Sequence, residues 1–265
     1  MAHPLYLCGA VDSVLDCAHA FIAESCLPVW GSVLAGSQRS GRGQMRRSWS
    51  SPPGNIYAAL RLPLTPPFAS GAASPAVGAL LVEAFARHGI RLALKWPNDI
   101  LLDASGSGAR ALPAGKAGGV LLEERAGALV AGIGINVAKT PSREQLREGG
   151  LPAACLNDLP QVTLHDHGAL LGLWSCLVDS LLFCYRQWGV SGHSAWLASA
   201  ERHLVWKGEP VLLDDGECRQ GVLLGLAASG GVRLVCDGVE KVFLNGNLSP
   251  VHGHAPKVDP LYENI

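Results

Sequence analysis

The sequence predicts an α+β protein with a large mixed-sheet domain and a small β-barrel after it. In the first two thirds of the chain, short apolar strands alternate with amphipathic helices. After Lys207 the pattern changes to short strands separated by Asp-Gly and Gly-Gly turns, which is typical of a small barrel or sandwich. We therefore expect a main domain over residues 1–205, a barrel over residues 206–252 and a tail over residues 253–265.

The predicted elements of the first half surround one long irregular segment. Residues 13–25 have the spacing of an amphipathic helix, and residues 29–34 and 56–62 are predicted strands. Residues 36–55 are rich in Gly, Ser, Arg and Pro, which predicts a long loop of the kind that often carries function. Residues 74–88 form the clearest helix, with Ser74 as N-cap, Pro75 at the first position and Gly89 after its end.

The remaining elements follow from the same periodicities. Strands are predicted over residues 92–94, 100–102, 117–122 and 128–137 in the main domain, and over residues 211–213, 222–227, 232–236 and 241–244 in the barrel. Apolar residues at helical spacing predict a long helix from Leu170 through Tyr185 that ends at Gly189, and a further helix over residues 194–203.

Composition excludes several classes of protein. A chain of 265 residues with 48% hydrophobic residues can bury a large core, and its net charge of −1 argues against general affinity for DNA. Apolar runs such as residues 177–185 fall short of the roughly 20 residues of a membrane span, and the start lacks the pattern of a signal peptide. We expect a cytoplasmic protein that binds neither DNA nor membranes.

The cysteines and histidines do not predict a metal site. The eight cysteines are scattered without a CxxC pair, and we interpret them as small buried hydrophobic residues. The HxH pairs His165/His167 and His252/His254 have a spacing that suits a metal, but no cysteine or acidic residue nearby completes a ligand set.

Four segments have the composition of binding sites, although each also has a simpler structural explanation. Residues 41–47 place two glycines and three arginines on one loop, which suits a phosphate or carboxylate and equally a solvated basic loop. Residues 95–99, KWPND, form a turn that presents a lysine beside an acid. Gly115-Lys116 lacks the earlier glycine and the Ser or Thr of a P-loop, and residues 132–136, GIGIN, lie at a strand end where glycines commonly serve packing.

Taken together, the order and spacing of the four segments resemble those of the biotin protein ligases. That family shows a loop similar to GRGRRGRxWxSPxGxNLY, then KWPND, then KxxG with a strand ending in Glu, then GxGIN. The matching residues here are Gly41, Arg42, Gly43, Arg47, Trp49, Ser51, Pro52, Gly54, Asn55 and Tyr57, then Lys95 to Asp99, then Lys116, Gly119 and Glu123, then Gly132, Gly134 and Asn136. The resemblance runs from Ser13 to about Pro250 and implies a catalytic domain of the biotin/lipoate ligase type followed by an SH3-like barrel.

The resemblance implies a two-step reaction. Biotin and MgATP would give biotinyl-5′-AMP and pyrophosphate, and a lysine of a biotin carboxyl carrier domain, from acetyl-CoA carboxylase or a similar carboxylase, would then take the biotinyl group. A carboxylate is already ionised at neutral pH, so no enzyme nucleophile is needed, and the protein has to neutralise phosphate charge and align the reactants. The resemblance leaves monomer and homodimer open.

The resemblance also assigns roles to individual residues. Lys116, Arg42 and Asp99 are the expected catalytic residues, and Asp99 is the candidate ligand of Mg²⁺. The expected biotin contacts are Ser13, Gln38, Gly41, Arg42, Trp49, Lys116 and Gly119. The expected ATP contacts are Arg42, Arg47, Lys95, Asn98 and Asn136. Ser13 has an ordinary helix N-cap as its alternative, and Trp49 has plain core packing.

This chain departs from the family pattern within the basic loop. Gln44 replaces the loop's second arginine, Arg46 replaces a glycine, and one residue is missing between Gly54 and Asn55. We expect weaker retention of the adenylate, since a guanidinium has been lost. The chain begins about a dozen residues before the predicted catalytic core, so we expect no DNA-binding helix-turn-helix. The alternatives are a lipoate or octanoate ligase of the same superfamily, which KWPND and the barrel disfavour, and a non-catalytic biotin-binding relative.

Overall fold

The computed structural model describes residues 3–103, 115–142, 150–159, 162, 166–192 and 194–251. The predicted α+β class is confirmed: the chain forms a seven-stranded mixed sheet, four helices and a separate five-stranded antiparallel sheet. The side chains of Arg46 and His167 also lie outside the described part, as do His165, His252, His254 and the predicted tail, so the HxH spacing has no structural test.

The larger sheet has the strand order β1-β2-β3-β7-β6-β5-β4. Its strands are β1 (Leu5–Val11), β2 (Ser32–Gln38), β3 (Ile56–Leu62), β4 (Leu92–Lys95), β5 (Asp99–Leu102), β6 (Gly115–Arg125) and β7 (Ala128–Ile135). β1 pairs parallel with β2, and the other neighbours pair antiparallel. β1 was not predicted from the sequence, and β2 begins three residues later and ends four residues later than the predicted strand over residues 29–34.

The helices confirm the predicted positions with two corrections. They are α1 (Val14–Ala23), α2 (Ala73–Ala86), α3 (His167–Ser191) and α4 (Ala195–His203). Ala72, and not Ser74, is the N-cap of α2, so Pro75 is the third helical residue and not the first. The Ser74 hydroxyl donates to the carbonyl oxygen of Pro97 at 3.3 Å instead of capping the helix. α3 continues past Gly189 to Ser191, and Gly192 ends it with φ of 96°.

The long helix α3 is sufficiently long and apolar to cross a membrane by those criteria alone. Its packing is that of a core helix, because Trp174, Leu177 and Leu181 are buried in the main hydrophobic cluster. The Trp174 indole also donates to the hydroxyl of Ser32 on β2 at 3.1 Å, which ties α3 to the larger sheet.

The smaller sheet has the order β11-β10-β9-β8-β12, all antiparallel. Its strands are β8 (Pro210–Asp214), β9 (Cys218–Leu226), β10 (Val232–Cys236), β11 (Val239–Phe243) and β12 (Asn247–Pro250), of which β12 was not predicted. Closure into a barrel stays a prediction. One cluster of buried apolar residues runs from α2 and β4 through Leu204 to Leu223 and Leu234 of this sheet, so the two sheets share a core, and the domain boundary near residue 206 stays a prediction.

The predicted long loop is more regular than its composition indicates. Residues 42–48 turn back on themselves: Arg42 bridges to Ser48, and the amide of Gly43 donates to the carbonyl oxygen of Arg47 at 2.8 Å. The amide of Trp49 then donates to the carbonyl oxygen of Gly41 at 2.8 Å. The loop therefore leaves β2 and returns to the sheet as a short hairpin-like arm.

Candidate active site

Residues of the other three predicted segments lie around Lys116, which is on β6 and is about one third exposed. Its ammonium lies 2.5 Å from the Asp99 carboxylate and 5.3 Å from the centre of the Trp49 ring. Its carbonyl oxygen accepts a 3.4 Å hydrogen bond from the Asn136 side chain. Residues that are up to 87 positions apart, from 49 to 136, thus meet around Lys116: two lie near its ammonium and one holds its backbone.

The KWPND segment is a tight hairpin that presents Asp99 to Lys116. Lys95 at the end of β4 pairs in register with Asp99 at the start of β5, and residues 96–98 form the turn between them. The Lys95 ammonium donates to Asp99 Oδ2 at 2.8 Å, so each carboxylate oxygen of Asp99 contacts one lysine. Burial by itself would raise the pKa of Asp99, but the positive charges of Lys95 and Lys116 outweigh it and hold that pKa below its usual value.

Lys95 and Asn98, which were expected to contact ATP, direct their side-chain nitrogens to protein atoms. Lys95 is 4% exposed and also donates to the side-chain oxygen of Asn247 on β12 at 2.7 Å. The Asn98 amide donates to the carbonyl oxygen of Val120 at 2.8 Å and so fixes the turn against β6. In this arrangement both residues shape the site, and their contacts with ATP stay a prediction.

Trp49 packs across the glycines of two central strands. An ideal Cβ on Gly134 would lie 2.7 Å from the indole nitrogen, and one on Gly119 would lie 3.7 Å from the edge of the ring. The indole nitrogen is buried without a hydrogen-bond partner among the described residues. Gly134 of GIGIN therefore allows Trp49 to pack on β7 beside Lys116. The role of Trp49 as a wall of the ligand pocket stays a prediction.

Ser13 and Gln38 form a second polar cluster. The Gln38 side-chain oxygen accepts from the amide of Val14 at 2.9 Å, and its nitrogen donates to the hydroxyl of Ser51 at 2.9 Å. Ser13 precedes α1 and is 2% exposed, but its hydroxyl makes no capping hydrogen bond and has no partner among the described residues. An ordinary N-cap role is therefore excluded for the Ser13 side chain, and a buried hydroxyl without a partner is costly unless a ligand supplies one.

Gly41 and Ser51 connect the two polar clusters. A Cβ on Gly41 would lie 2.7 Å from the Ser51 hydroxyl and 3.2 Å from the Gln38 amide nitrogen, so only glycine allows this approach. The Ser51 hydroxyl also donates to the carbonyl oxygen of Trp49 at 3.1 Å. The backbone of Trp49 thus lies next to the cluster of Gln38 and Ser51, and its ring lies next to the Lys116 ammonium.

Arg42 was expected to contact biotin and ATP, but in this structure its guanidinium pairs with carboxylates of the protein. Its two terminal nitrogens donate to the Asp16 carboxylate at 2.7 and 2.9 Å, and its Nε donates to Glu123 at 3.2 Å. Hydrogen bonds from Arg42 hold the pKa of Asp16 below its usual value, and Arg125 adds to the effect. Arg42 therefore anchors the loop to α1 and β6, and its contacts with biotin and ATP stay a prediction.

Arg47 is the remaining described arginine of the loop. It is exposed, and among the described residues its guanidinium contacts the sulfur of Met45 at 3.6 Å and pairs with no carboxylate. Its charge is thus free to meet an anionic group from solvent, as the prediction for ATP requires.

Two asparagines hold the strand ends that frame the site. The Asn136 amide, 4% exposed, donates to the carbonyl oxygens of Lys116 and Ala154, so it positions the backbone of Lys116. Asn55 accepts hydrogen bonds from the amides of residues 137–139 at 2.9 to 3.1 Å. Its amide nitrogen donates to the hydroxyl of Tyr57 at 3.0 Å. Asn55 was only a motif match in the sequence, whereas here it closes the loop onto the end of β7.

The donor set does not fit Asp99 as a Mg²⁺ ligand. A hard cation needs several free oxygen ligands, whereas both oxygens of Asp99 contact ammonium groups. No group of three or more His, Cys, Asp or Glu side chains that could hold a metal occurs in the described part of the chain. The assignment of Mg²⁺ to Asp99 is therefore not supported by this arrangement.

Comparison with known proteins gives the same family throughout. The model of the biotin/lipoate A/B protein ligase family matches residues 14–139, from α1 to just after β7. A biotin–acetyl-CoA-carboxylase ligase of Paracoccus denitrificans is 29% identical over 218 residues, which cover 76% of this chain and 82% of that protein. The bifunctional ligase/repressor BirA of Bacillus subtilis is 32% identical over 154 residues, and the matched part spans 43% of its length.

Solved biotin protein ligases share the fold of this chain. The enzyme of Aquifex aeolicus, in complex with biotin and ATP, is 25% identical with a TM-score of 0.70 over 93% of this chain and 97% of that one. The enzyme of Leishmania major, in complex with biotinyl-5-AMP, shares the fold at 22% identity with a TM-score of 0.54 over 91% of this chain and 98% of that one. Residues 14–139 thus match the biotin/lipoate A/B protein ligase family, and the chain shares the fold of solved biotin protein ligases.

Proposed function

We propose that this chain is an ATP-dependent biotin protein ligase, which activates biotin to biotinyl-5′-AMP and transfers the biotinyl group to a lysine of a carrier domain. The observation that carries the proposal is the meeting of four separate segments around Lys116, with Asp99, Trp49 and Asn136 in contact with it. An uncharged packing role would not need a partly exposed ammonium at this place.

The two polar clusters suit the two ends of biotin. The unpartnered hydroxyl of Ser13 and the side chain of Gln38 provide hydrogen-bonding groups for the ureido ring. Lys116 provides positive charge for the carboxylate and for the α-phosphate of ATP, and the Trp49 ring lies between these ends as an apolar wall. This order of groups favours biotin over a purely aliphatic acyl chain, which has no ring to occupy the Ser13 end.

Catalysis of the first step requires alignment and charge stabilisation. The biotin carboxylate attacks the α-phosphate, the bond from that phosphorus to the bridging oxygen breaks, and pyrophosphate leaves with its electron pair. Positive groups placed where charge develops lower this barrier, often by several kcal/mol for a single donor. Lys116 is the group in position for that role, and exposed Arg47 is available for the leaving phosphates.

The second step needs no further nucleophile from the enzyme. The carrier lysine attacks the biotinyl carbonyl, an amide bond forms and AMP leaves. We expect the carrier to be a biotin carboxyl carrier domain of acetyl-CoA carboxylase or of a similar carboxylase in the cytoplasm, with residues 1–205 as the catalytic domain. Mg²⁺ would enter with ATP, held by its phosphates and water.

The test uses the full chain with biotin, MgATP and a purified carrier domain. We expect biotin-dependent release of pyrophosphate and a carrier mass that rises by one biotinyl group. Lipoate or octanoate turnover without biotin turnover would replace the proposal with the corresponding acyl ligase. Binding of biotin with no pyrophosphate release under any of these conditions would indicate a non-catalytic relative.

A further inference from the structure

The smaller sheet reaches the candidate active site through two consecutive residues of the KWPND hairpin. Lys95 donates to the side-chain oxygen of Asn247 on β12 at 2.7 Å, and the indole of Trp96 donates to the carbonyl oxygen of Gly230, between β9 and β10, at 2.8 Å. Trp96 is 1% exposed, which makes its contact a packing anchor. The contact of Asn247 differs because it ends on a charged group.

Asn247 contacts the first of three charged residues that lie in series. The Lys95 ammonium bridges Asn247 and Asp99, and Asp99 in turn contacts Lys116. Lys95 and Asp99 are both largely buried, with side-chain exposures of 5% and 14%, whereas Lys116 is 32% exposed. The series thus runs from the smaller sheet through a buried pair to the partly exposed ammonium of Lys116.

The three charged residues of this series have an excess of one positive charge. Lys95 and Lys116 contribute two positive charges and Asp99 one negative charge, so the net charge of the three is +1. While the Lys95 ammonium contacts one oxygen of Asp99, the negative charge of that carboxylate is shared between Lys95 and Lys116. Without Lys95, the whole negative charge of Asp99 would act on Lys116, because opposite charges attract strongly where water is scarce.

We infer that Asn247 is a positioning residue for the ligase reaction: it holds Lys95 against Asp99 and so keeps the charge of Lys116 available for the anionic reactants. The inference rests on the proposed function for its kinetic consequence but not for its structural one. It gives the C-terminal sheet a part in the adenylation step. An asparagine suits this position because it supplies a hydrogen-bond acceptor without a charge that would compete for Lys95.

The decisive variant is Asn247→Asp, compared with Asn247→Ala. The aspartate keeps an acceptor for Lys95 and therefore the structural hydrogen bond, but it adds a negative charge that lowers the net charge of the series to zero. We expect the melting temperature of the Asp variant to stay near that of the wild type. We also expect biotin-dependent pyrophosphate release at saturating biotin and ATP to fall by about tenfold or more in both variants. The matched control is Ser249→Ala, two residues along the same strand, which should leave the rate unchanged.

A merely structural role gives the opposite result, since Asn247→Asp would then restore the rate that Asn247→Ala loses. A second check uses Lys95→Met: if Asn247 acts through Lys95, adding Asn247→Ala to that background should lower the rate no further. An additive loss would overturn the inference.

A readout without catalysis separates this inference from the proposed function. Amine labelling followed by mass spectrometry reports how freely the Lys116 ammonium is available, with Lys139 as internal reference. We expect both Asn247 variants to slow the labelling of Lys116 by about threefold or more, because Asp99 holds it more tightly. Unchanged labelling would contradict the inference, whether or not the wild type proves to be a ligase.

Discussion

The carboxylate of Asp99 lies 2.5 Å from the ammonium of Lys116, and the other oxygen of the same carboxylate contacts Lys95. An acid between two lysines is stabilised in its charged form, which is why it is poorly suited to act as a base and is well suited to hold Lys116 in place. Asp99 balances only one of the two lysine charges, and in the proposed function the remaining positive charge, on Lys116, acts on the reactants.

Replacement of Lys116 should slow the reaction strongly. Lys116→Ala is expected to lower biotin-dependent pyrophosphate release roughly 100- to 1,000-fold, about 3 to 4 kcal/mol, as for loss of a single charge-stabilising donor. Transfer to the carrier should fall as well, and the fold should be kept because Lys116 is partly exposed. The control is Lys139→Ala, an exposed lysine outside the Asp99 pair. Turnover near that of the wild type would refute the role of Lys116.

Ser13 should affect binding without affecting stability. Its hydroxyl is buried and without a partner among the described residues, so Ser13→Ala removes no internal hydrogen bond. We expect an unchanged or higher melting temperature and a KM for biotin up to about tenfold higher, the effect of one neutral hydrogen bond of about 0.5 to 1.5 kcal/mol. Ser199→Ala is the matched control, because the Ser199 hydroxyl is also buried and unpartnered but lies on α4. A biotin KM equal in both variants would show that Ser13 does not touch the ligand.

Gly134 should be required for the position of Trp49. In Gly134→Ala the new methyl group would lie within 3.0 Å of three atoms of the indole, which is closer than real contacts allow. We expect a shifted tryptophan fluorescence spectrum together with loss of adenylation, since the ring would move away from Lys116. Gly172→Ala on the exposed side of α3, where the added carbon meets nothing within 4 Å, is the control. Full activity in Gly134→Ala would separate Trp49 from catalysis.

The basic loop should determine how long the adenylate stays bound. Gln44 occupies the position of the family's second loop arginine, so Gln44→Arg adds back a guanidinium. We expect the variant to retain biotinyl-5′-AMP longer than the wild type when the complex is passed rapidly through a desalting column. Gln187→Arg on α3, away from the loop, controls for added charge. If the intermediate dissociates equally fast from both variants, Gln44 does not limit retention.

His19 should make the fold less stable in mild acid. Burial lowers the pKa of His19 below the ordinary 6.5, and Arg125 lowers it further against the opposing effects of Glu123 and Asp16. The unfolded chain therefore takes up a proton at a higher pH than the fold does, and stability is lost as the pH falls from about 6.5 through the lower value. In urea unfolding between pH 7 and pH 5, His19→Gln should show a shallower loss of unfolding free energy than the wild type. His203 has a pKa lowered by burial too, so part of the slope should remain. Equal slopes in wild type and His19→Gln would contradict the assignment.

Local sequence patterns were sufficient for most of the fold. The strand at Ile56–Leu62 was predicted to the residue, and the helices were placed to within a few residues, because periodicity reports which face is buried. β1 was not predicted because it is an edge strand whose burial does not alternate regularly, and Leu7 within it is 61% exposed. The N-cap at Ser74 was wrong because the hydroxyl has a tertiary partner in Pro97 that local rules do not include.

The sequence by itself determined which four segments to expect at the site, since their order is a property of the chain. Only the tertiary structure decided which partners their side chains have. Arg42 is paired with Glu123 across 81 positions, and Lys95 with Asn247 across 152. Such pairings have no local signal, because a charge at one position is compatible with solvent, a ligand or any distant partner. The tertiary fold determines these partners because it brings α1 and β12 to the strands that carry the site, and it leaves the side chain of Lys116 about one third exposed.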